Sequence, residues 1–181
     1  LHVRSRRQRQ MCIRDRAYAE YYRRWSLSWE AQALLRARGV AGSATLIAKF
    51  TALADSIRYP AEVDLQGTRE IKRIKARVEG ERLPQGVDPR RHLKLGPGTL
   101  SDVEWLVQLL QLQHAHDVPA LQTTSTLTAL GAAVDAGFVP ADAADLLRAA
   151  WLLSSRLRSA ITLYTGCLLY TSPSPRDRQK S

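Results

Sequence analysis

Five residues able to handle a phosphate or a metal fall close together in "KLGPGTLSDVEW", residues 94–105: Lys94, Gly96, Gly98, Asp102 and Glu104. A lysine supplies a cation, glycines let backbone N–H groups approach a ligand, and a helix N-terminus favours an anion. The same residues also make a tight connection between two helices with a well-made cap. In that reading Ser101 and Glu104 form a capping box, each satisfying the other's backbone N–H. Asp102 and Glu104 are two apart and diverge on a helix, so they make no metal-binding pair by themselves. Glu104 aligns instead with Gln108 and Gln111.

Other groups invite chemistry less strongly. Arg36 and Arg38 follow Trp29-Glu30 and add two bases to an aromatic and an acid. Trp25 and Trp29 are four apart and are expected to pack together in the core. Arg69, Arg73 and Arg77 repeat at i, i+4 and i+8, a basic line that a partner anion or the neighbouring Glu70, Glu79 and Glu81 can neutralise. His114 and His116 diverge on a helix, and no second ligand cluster accompanies them, which argues against a metal. No Ser/His/Asp set is recognisable.

The elements that must position these residues read as helices throughout. "AYAEYYRRW" and "SLSWEAQALLRAR" have apolar and aromatic residues at helical spacing. Ser43 can cap a helix in which Leu46, Ile47, Phe50, Leu53 and Ala54 line one face, and Pro60 ends it. Ile71, Ile74 and Val78 stripe the next, stopped by Pro84. Residues 85–100, rich in Gly and Pro, are a loop. Beyond it Val103, Leu106, Val107 and Leu110 form a core face broadened by Trp105, Leu109 and Leu112, the mark of a helix covered on most sides. A shorter helix ends at Gly137, and Pro140 sits at the first turn of the last one, with Asp142 near its positive end. No period-2 strand is present, so the expected class is all-α.

Composition misleads until the ends are set aside. The 181 residues carry a net charge of +10 and two cysteines, which by itself suggests nucleic acid or a membrane surface. Yet "MCIRDR" (11–16) and "CLLYTS" (167–172) back-translate to the two arms of one inverted DNA repeat. They look like translated sequencing adapter. Residues 1–16 and 167–181 are therefore read as adapter-derived tails, expected to be disordered, and are set apart from the fold. Residues 17–166 retain 18 basic and 15 acidic side chains, a net of +3, and no cysteine. Nucleic-acid binding loses its electrostatic support, disulfide chemistry loses its residues, and no apolar run is long enough for a bilayer. A cytoplasmic address is expected.

"YYRRWSLSWEAQALLRARGVAGS", "REIKRIKARVEGERL" and "KLGPGTLSDVEWLVQLLQLQHAHDVPALQTTSTL" together resemble glutamine synthetase adenylyltransferase over essentially all of 17–166. The likeness is greatest to the C-terminal, adenylylating half of that two-headed enzyme. It implies a helical bundle following the end of a nucleotidyltransferase domain, with 17–42 the last helices of that domain and 43–166 most of the helical one. It also implies transfer of AMP from ATP, with Mg²⁺, to a tyrosine of glutamine synthetase, and control by a PII signalling protein. The family's Gly-Ser-x-Asp-x-Asp carboxylates have no match here, since Gly42-Ser43 is followed by Ala-Thr-Leu. The fragment alone is thus expected to be inactive, with no catalytic residue or metal ligand and no cofactor of its own.

What the resemblance leaves to this chain is a wall of the nucleotide cleft. Lys94, Gly96, Gly98, Asp102 and Glu104 are expected to face it, with Arg36 and Arg38 as further nucleotide-binding candidates. Thr99 stands where the family usually has glycine; if that position takes positive φ, threonine is strained there. Two alternatives stay open. The related helical domain of PII uridylyltransferase carries a similar Lys-x-Gly-Pro-Gly stretch, and a non-catalytic helical docking module would touch no nucleotide.

Overall fold

The computed structural model describes residues 17–25, 27–63, 65–83 and 86–166. The tails at 1–16 and 167–181, and Pro84, lie outside the described residues. The described chain is all-α, with seven helices and no strand. They are α1 (17–25), α2 (Ser28–Leu34), α3 (Ala44–Arg58), α4 (Leu65–Glu81), α5 (Leu100–His114), α6 (Thr126–Asp135) and α7 (Ala141–Thr165). Short 3₁₀ turns at Pro89–Arg91 and Pro119–Leu121 flank α5. No described helix is long and apolar enough to cross a membrane.

α5 is the axis of the bundle, packed against α2, α4, α6 and α7. Its Val103, Val107 and Leu112 are buried, and the core continues through Leu35, Ile71, Leu121, Ala129 and Leu130. Each such leucine contributes about 1.5–3 kcal/mol by leaving water. The segment 17–42, read as the end of a preceding domain, supplies Ala31 and Leu35 to this same core. α2 is only seven residues long, too short to stand alone. A buried guanidinium holds its end: Arg58 of α3 donates to the carbonyls of Leu34 at 2.9 Å and Ala37 at 2.8 Å, and pairs with Asp55 at 2.6 Å. Leu34 also accepts from Ala37 N–H at 2.9 Å, so the guanidinium fixes the turn that closes the helix end.

Four local expectations are corrected. Trp25 and Trp29 do not pack into the core; they are 69% and 46% exposed. The chain leaves the helix between them, with Leu27 extended at φ −107°, so they are not one turn apart on a single helix. Leu106 is 38% exposed rather than in the core face, because α5 is covered on the sides where α2, α4, α6 and α7 lie and open along the remaining strip. The Ser101–Glu104 capping box is not formed. α5 starts at Leu100 with Thr99 as its N-cap, which puts Ser101 inside the first turn and Glu104 a turn beyond. Pro140 likewise sits one position earlier than expected, as the N-cap of α7.

Candidate functional site: the 92–104 loop and the Arg36–Glu104 cleft

The loop before α5 is closed on itself by hydrogen bonds. The imidazole of His92 is buried, and its Nδ1 accepts from the N–H groups of Leu95 at 2.9 Å and Lys94 at 3.3 Å. Gly96 N–H donates to the His92 carbonyl at 2.8 Å, Thr99 N–H to the Gly96 carbonyl at 3.2 Å, and Ser101 N–H to the Lys94 carbonyl at 2.9 Å. Gly98 N–H donates to Asp102 at 2.6 Å. The N–H groups expected to cradle an anion are therefore engaged within the loop. What the loop presents outward is the exposed Lys94.

Each glycine here has its own physical reason. A Cβ on Gly96 would lie 2.4 Å from the Pro89 carbonyl oxygen and 2.6 Å from that of His92. Gly98 takes φ +72°, the left-handed region that L-residues avoid. Thr99 is extended, at φ −97° and ψ −162°, so the strain considered for it does not arise: the positive φ falls one residue earlier.

Asp102 ties this loop to α4. Its other oxygen accepts from Lys75 Nζ at 2.6 Å, and Lys75 also pairs with Glu79 one turn along its own helix. Burial pushes the Asp102 carboxyl up, but the Lys75 ammonium and the Gly98 N–H outweigh it and hold it below its usual range. Burial likewise opposes the charge on Lys75, and its two carboxylate partners outweigh that and raise it. Mg²⁺ takes an octahedron of oxygens. Both Asp102 oxygens are already taken by Gly98 and Lys75, and Glu104 belongs to a different cleft. These carboxylates do not fit a Mg²⁺ ion.

Arg36 and Glu104 meet elsewhere, in a cleft of about 490 Å³ shared with Gln108, Thr124, Ser125 and Trp151. Arg36 donates to the Thr124 carbonyl and to Thr126 Oγ1, both at 2.5 Å, pinning the start of α6 to the end of α2. Gln32 donates to Gln108 at 2.8 Å across the same space. The expected line of Glu104 with Gln108 is thus present, while Gln111, one turn on, is buried and donates to the carbonyls of Leu121 and Thr123. Arg38 is exposed and has no hydrogen bond or ion pair among the described residues. The structure therefore groups Lys94, Gly96, Gly98 and Asp102 in one place and Arg36 and Glu104 in another. His114 stacks on Phe138, ring centroids 4.0 Å apart.

Sequence reasoning missed His92, Lys75 and Trp151. Lys75 carried a partial signal in its i, i+4 spacing to Glu79; its partnership with Asp102 crosses 27 residues. His92 had no periodic signal, since its role is to accept backbone N–H groups two and three residues on.

His92 makes the loop sensitive to acid. Burial chiefly, with the Lys94 charge, lowers its pKa below the ordinary 6.5, although a backbone hydrogen bond opposes this. The folded state thus holds His92 neutral where the unfolded chain begins to bind a proton. Its contribution is full above pH 6.5 and is lost as pH falls from there through the lowered folded value. Urea unfolding at pH 7.5 and 5.5 should show an acid loss of stability that His92→Gln reduces; an equal acid loss in the variant contradicts the assignment.

The comparisons with known proteins bear on this same stretch. Residues 68–167 match the family model for GlnD PII-uridylyltransferase, and residues 8–53 match that for glutamate-ammonia ligase adenylyltransferase. The chain is 65% identical over 150 residues to a bifunctional glutamine synthetase adenylyltransferase/adenylyl-removing enzyme of Leifsonia xyli, covering 83% of this chain and 15% of that one. Identity to the enzyme of the same description from Mycobacterium avium is 58% over 151 residues, 83% of this chain and 15% of that one. For that from Streptomyces coelicolor it is 52% over 164 residues, 90% of this chain and 16% of that one. The chain thus spans about 15% of the length of the curated relatives it matches. A helical domain whose sequence follows these adenylyltransferases through the loop and α5 belongs to the GlnD PII-uridylyltransferase family, in the form carried by the bifunctional glutamine synthetase adenylyltransferases.

Proposed function

We propose that this chain is a helical segment of an enzyme that transfers AMP from ATP to a tyrosine of glutamine synthetase. In this reading it serves the adenylylating half, acts in the cytoplasm and answers to a PII signalling protein. The observation that carries it is the 65% identity with a bifunctional adenylyltransferase over 150 residues. That likeness favours AMP over UMP transfer, although the matching domain model is named for uridylyltransferase.

The segment's share of the work follows from the loop's chemistry. Lys94 sits on a rigid turn and supplies a positive charge to the triphosphate held by a neighbouring nucleotidyltransferase domain, the domain of which 17–42 forms the end and 43–166 the helical continuation. Gly96, Gly98 and Asp102 shape and anchor that turn rather than touch ligand. Phosphoryl and nucleotidyl transfer rest on positioning and charge stabilisation, so a lysine that holds its place is worth more than a mobile one. ATP and Mg²⁺ are held by the carboxylates of that other domain, and Arg36, Arg38 and Glu104 lie outside the contact.

In an intact bifunctional enzyme carrying this segment, Lys94→Ala should lower the rate of AMP transfer to glutamine synthetase about tenfold, a charge contact worth ~1.4 kcal/mol. The 181-residue chain alone should transfer none. If Lys94→Ala leaves both nucleotide affinity and transfer rate unchanged, the segment is a docking module instead.

A further inference from the structure

The face built by the start of α2 and the outer side of α4 has a use that nucleotide transfer does not absorb. Two adjoining grooves run along it. One, of about 400 Å³, is lined by Leu27, Gln66, Arg69, Glu70 and Arg73. The next, of about 470 Å³, is lined by Trp29, Glu70, Arg73, Ile74 and Arg77. Arg73 and Glu70 border both, so the grooves form one strip. Its basic edge is the Arg69, Arg73, Arg77 line, and its apolar edge is Leu27 and Trp29, both about half exposed.

The charges on this strip are unbalanced. Among the described residues Arg69 and Arg73 have neither hydrogen bond nor ion pair. Arg77 meets Glu81 only at 4.0 Å, with both side chains about two-thirds exposed. Glu70 is the acid within the strip, and it accepts from Ser28 at 3.3 Å. Lys75, on the inner side of the same helix, is already occupied by Glu79 and Asp102. Guanidinium groups one turn apart repel each other along the helix that carries them, which an opposing acid would reverse.

We propose that this strip is a docking surface for an acidic amphipathic helix, whose carboxylates pair with Arg69, Arg73 and Arg77 while its apolar side covers Leu27 and Trp29. The spacing selects that partner. Successive arginines rise about 6 Å along α4, the same step that separates acids at i, i+4 on an opposing helix; contiguous phosphates of a polyphosphate are packed far closer. The exposed tryptophan supplies the aromatic anchor that such interfaces use, and the arginines set register and steer the encounter.

The test uses the 181-residue chain and a fluorescently labelled peptide with glutamates at i, i+4 and i+8 beside a leucine face. A scrambled peptide of the same composition is the control, and inorganic tripolyphosphate is the competitor. Saturable one-to-one binding is expected. It should weaken about tenfold for the scrambled peptide and for Arg69→Glu/Arg73→Glu, and less than about twofold for Arg156→Glu on α7, a change of like sign placed elsewhere. Circular dichroism checks the fold; should the double variant unfold, Arg73→Gln is expected to weaken binding about threefold. Equal binding of the scrambled peptide, indifference to the α4 changes, or no saturation overturns the proposal. Displacement by tripolyphosphate at a lower concentration than unlabelled peptide overturns it in favour of a phosphate site.

Discussion

Replacing Gly96 by alanine should destabilise the chain by about 3 kcal/mol, at the upper end of what an added methyl costs in a packed site. The two atoms that the new Cβ would meet, at 2.4 and 2.6 Å, are both backbone carbonyl oxygens, so no side chain can swing aside. The Pro89 carbonyl belongs to a 3₁₀ turn and accepts from His92 N–H at 3.1 Å. The His92 carbonyl accepts from Gly96 itself. Relief of the clash must therefore open the turn that seats His92, and the N–H groups of Lys94 and Leu95 lose their acceptor with it. Gly98→Ala is the informative companion. Nothing crowds its Cβ, and only the positive φ resists substitution, at about 1–2 kcal/mol. Urea unfolding of both variants measures the difference. A Gly96→Ala chain no less stable than Gly98→Ala would mean that the close approach of the 89–92 turn does not hold the loop.

The second large effect lies at Gln111. It is 1% exposed, and its Nε2 donates at 2.7 Å to the carbonyls of both Leu121 and Thr123. Gln111→Leu keeps the volume and removes the donor, leaving the Thr123 carbonyl unpaired and the Leu121 carbonyl with the Thr123 N–H at 2.8 Å alone. At about 1–3 kcal/mol for an orphaned buried group, the expected cost is about 2 kcal/mol, reduced where Thr123 can reach water. The consequence extends to the Arg36–Glu104 cleft, since the carbonyl that Arg36 uses is the next one along, at Thr124. Hydrogen exchange should quicken at Leu121 and Gln122, whose N–H groups close the 3₁₀ turn. Gln108→Leu is the contrast. Its bond to Gln32 is half-buried, and its loss should cost under about 1 kcal/mol. Similar losses in the two variants would show that Gln111 does not hold the 121–124 segment.

Both predictions concern residues that one-dimensional reading understated. The sequence marks Gly96 as a place where backbone can approach a ligand; what approaches it is this chain's own backbone. For Gln111 the sequence shows only its alignment with Glu104. In each case the missing information was the partner, which lies across a turn or on another segment. The same holds for Asp102, whose charge suggested a ligand contact and whose oxygens go to Gly98 and Lys75.

Sequence alone determined the helical class, six of the seven helices nearly to their ends, and the family. Apolar spacing of 3.6 is a local property, and stops such as Pro60 and Gly137 act within a turn of where they stand. Long runs of shared residues identify kinship without any coordinates. Tertiary structure decided that Trp25 and Trp29 lie outside the core, that the cap of α5 is Thr99 with Asp102 bracing Gly98, and that Arg36 and Glu104 part company from Lys94. It did so because burial and pairing depend on what other segments bring to a position. A helix reports which face is apolar, but which strip of that face is covered, and which charge is met, is settled only when α2, α4, α6 and α7 close around α5.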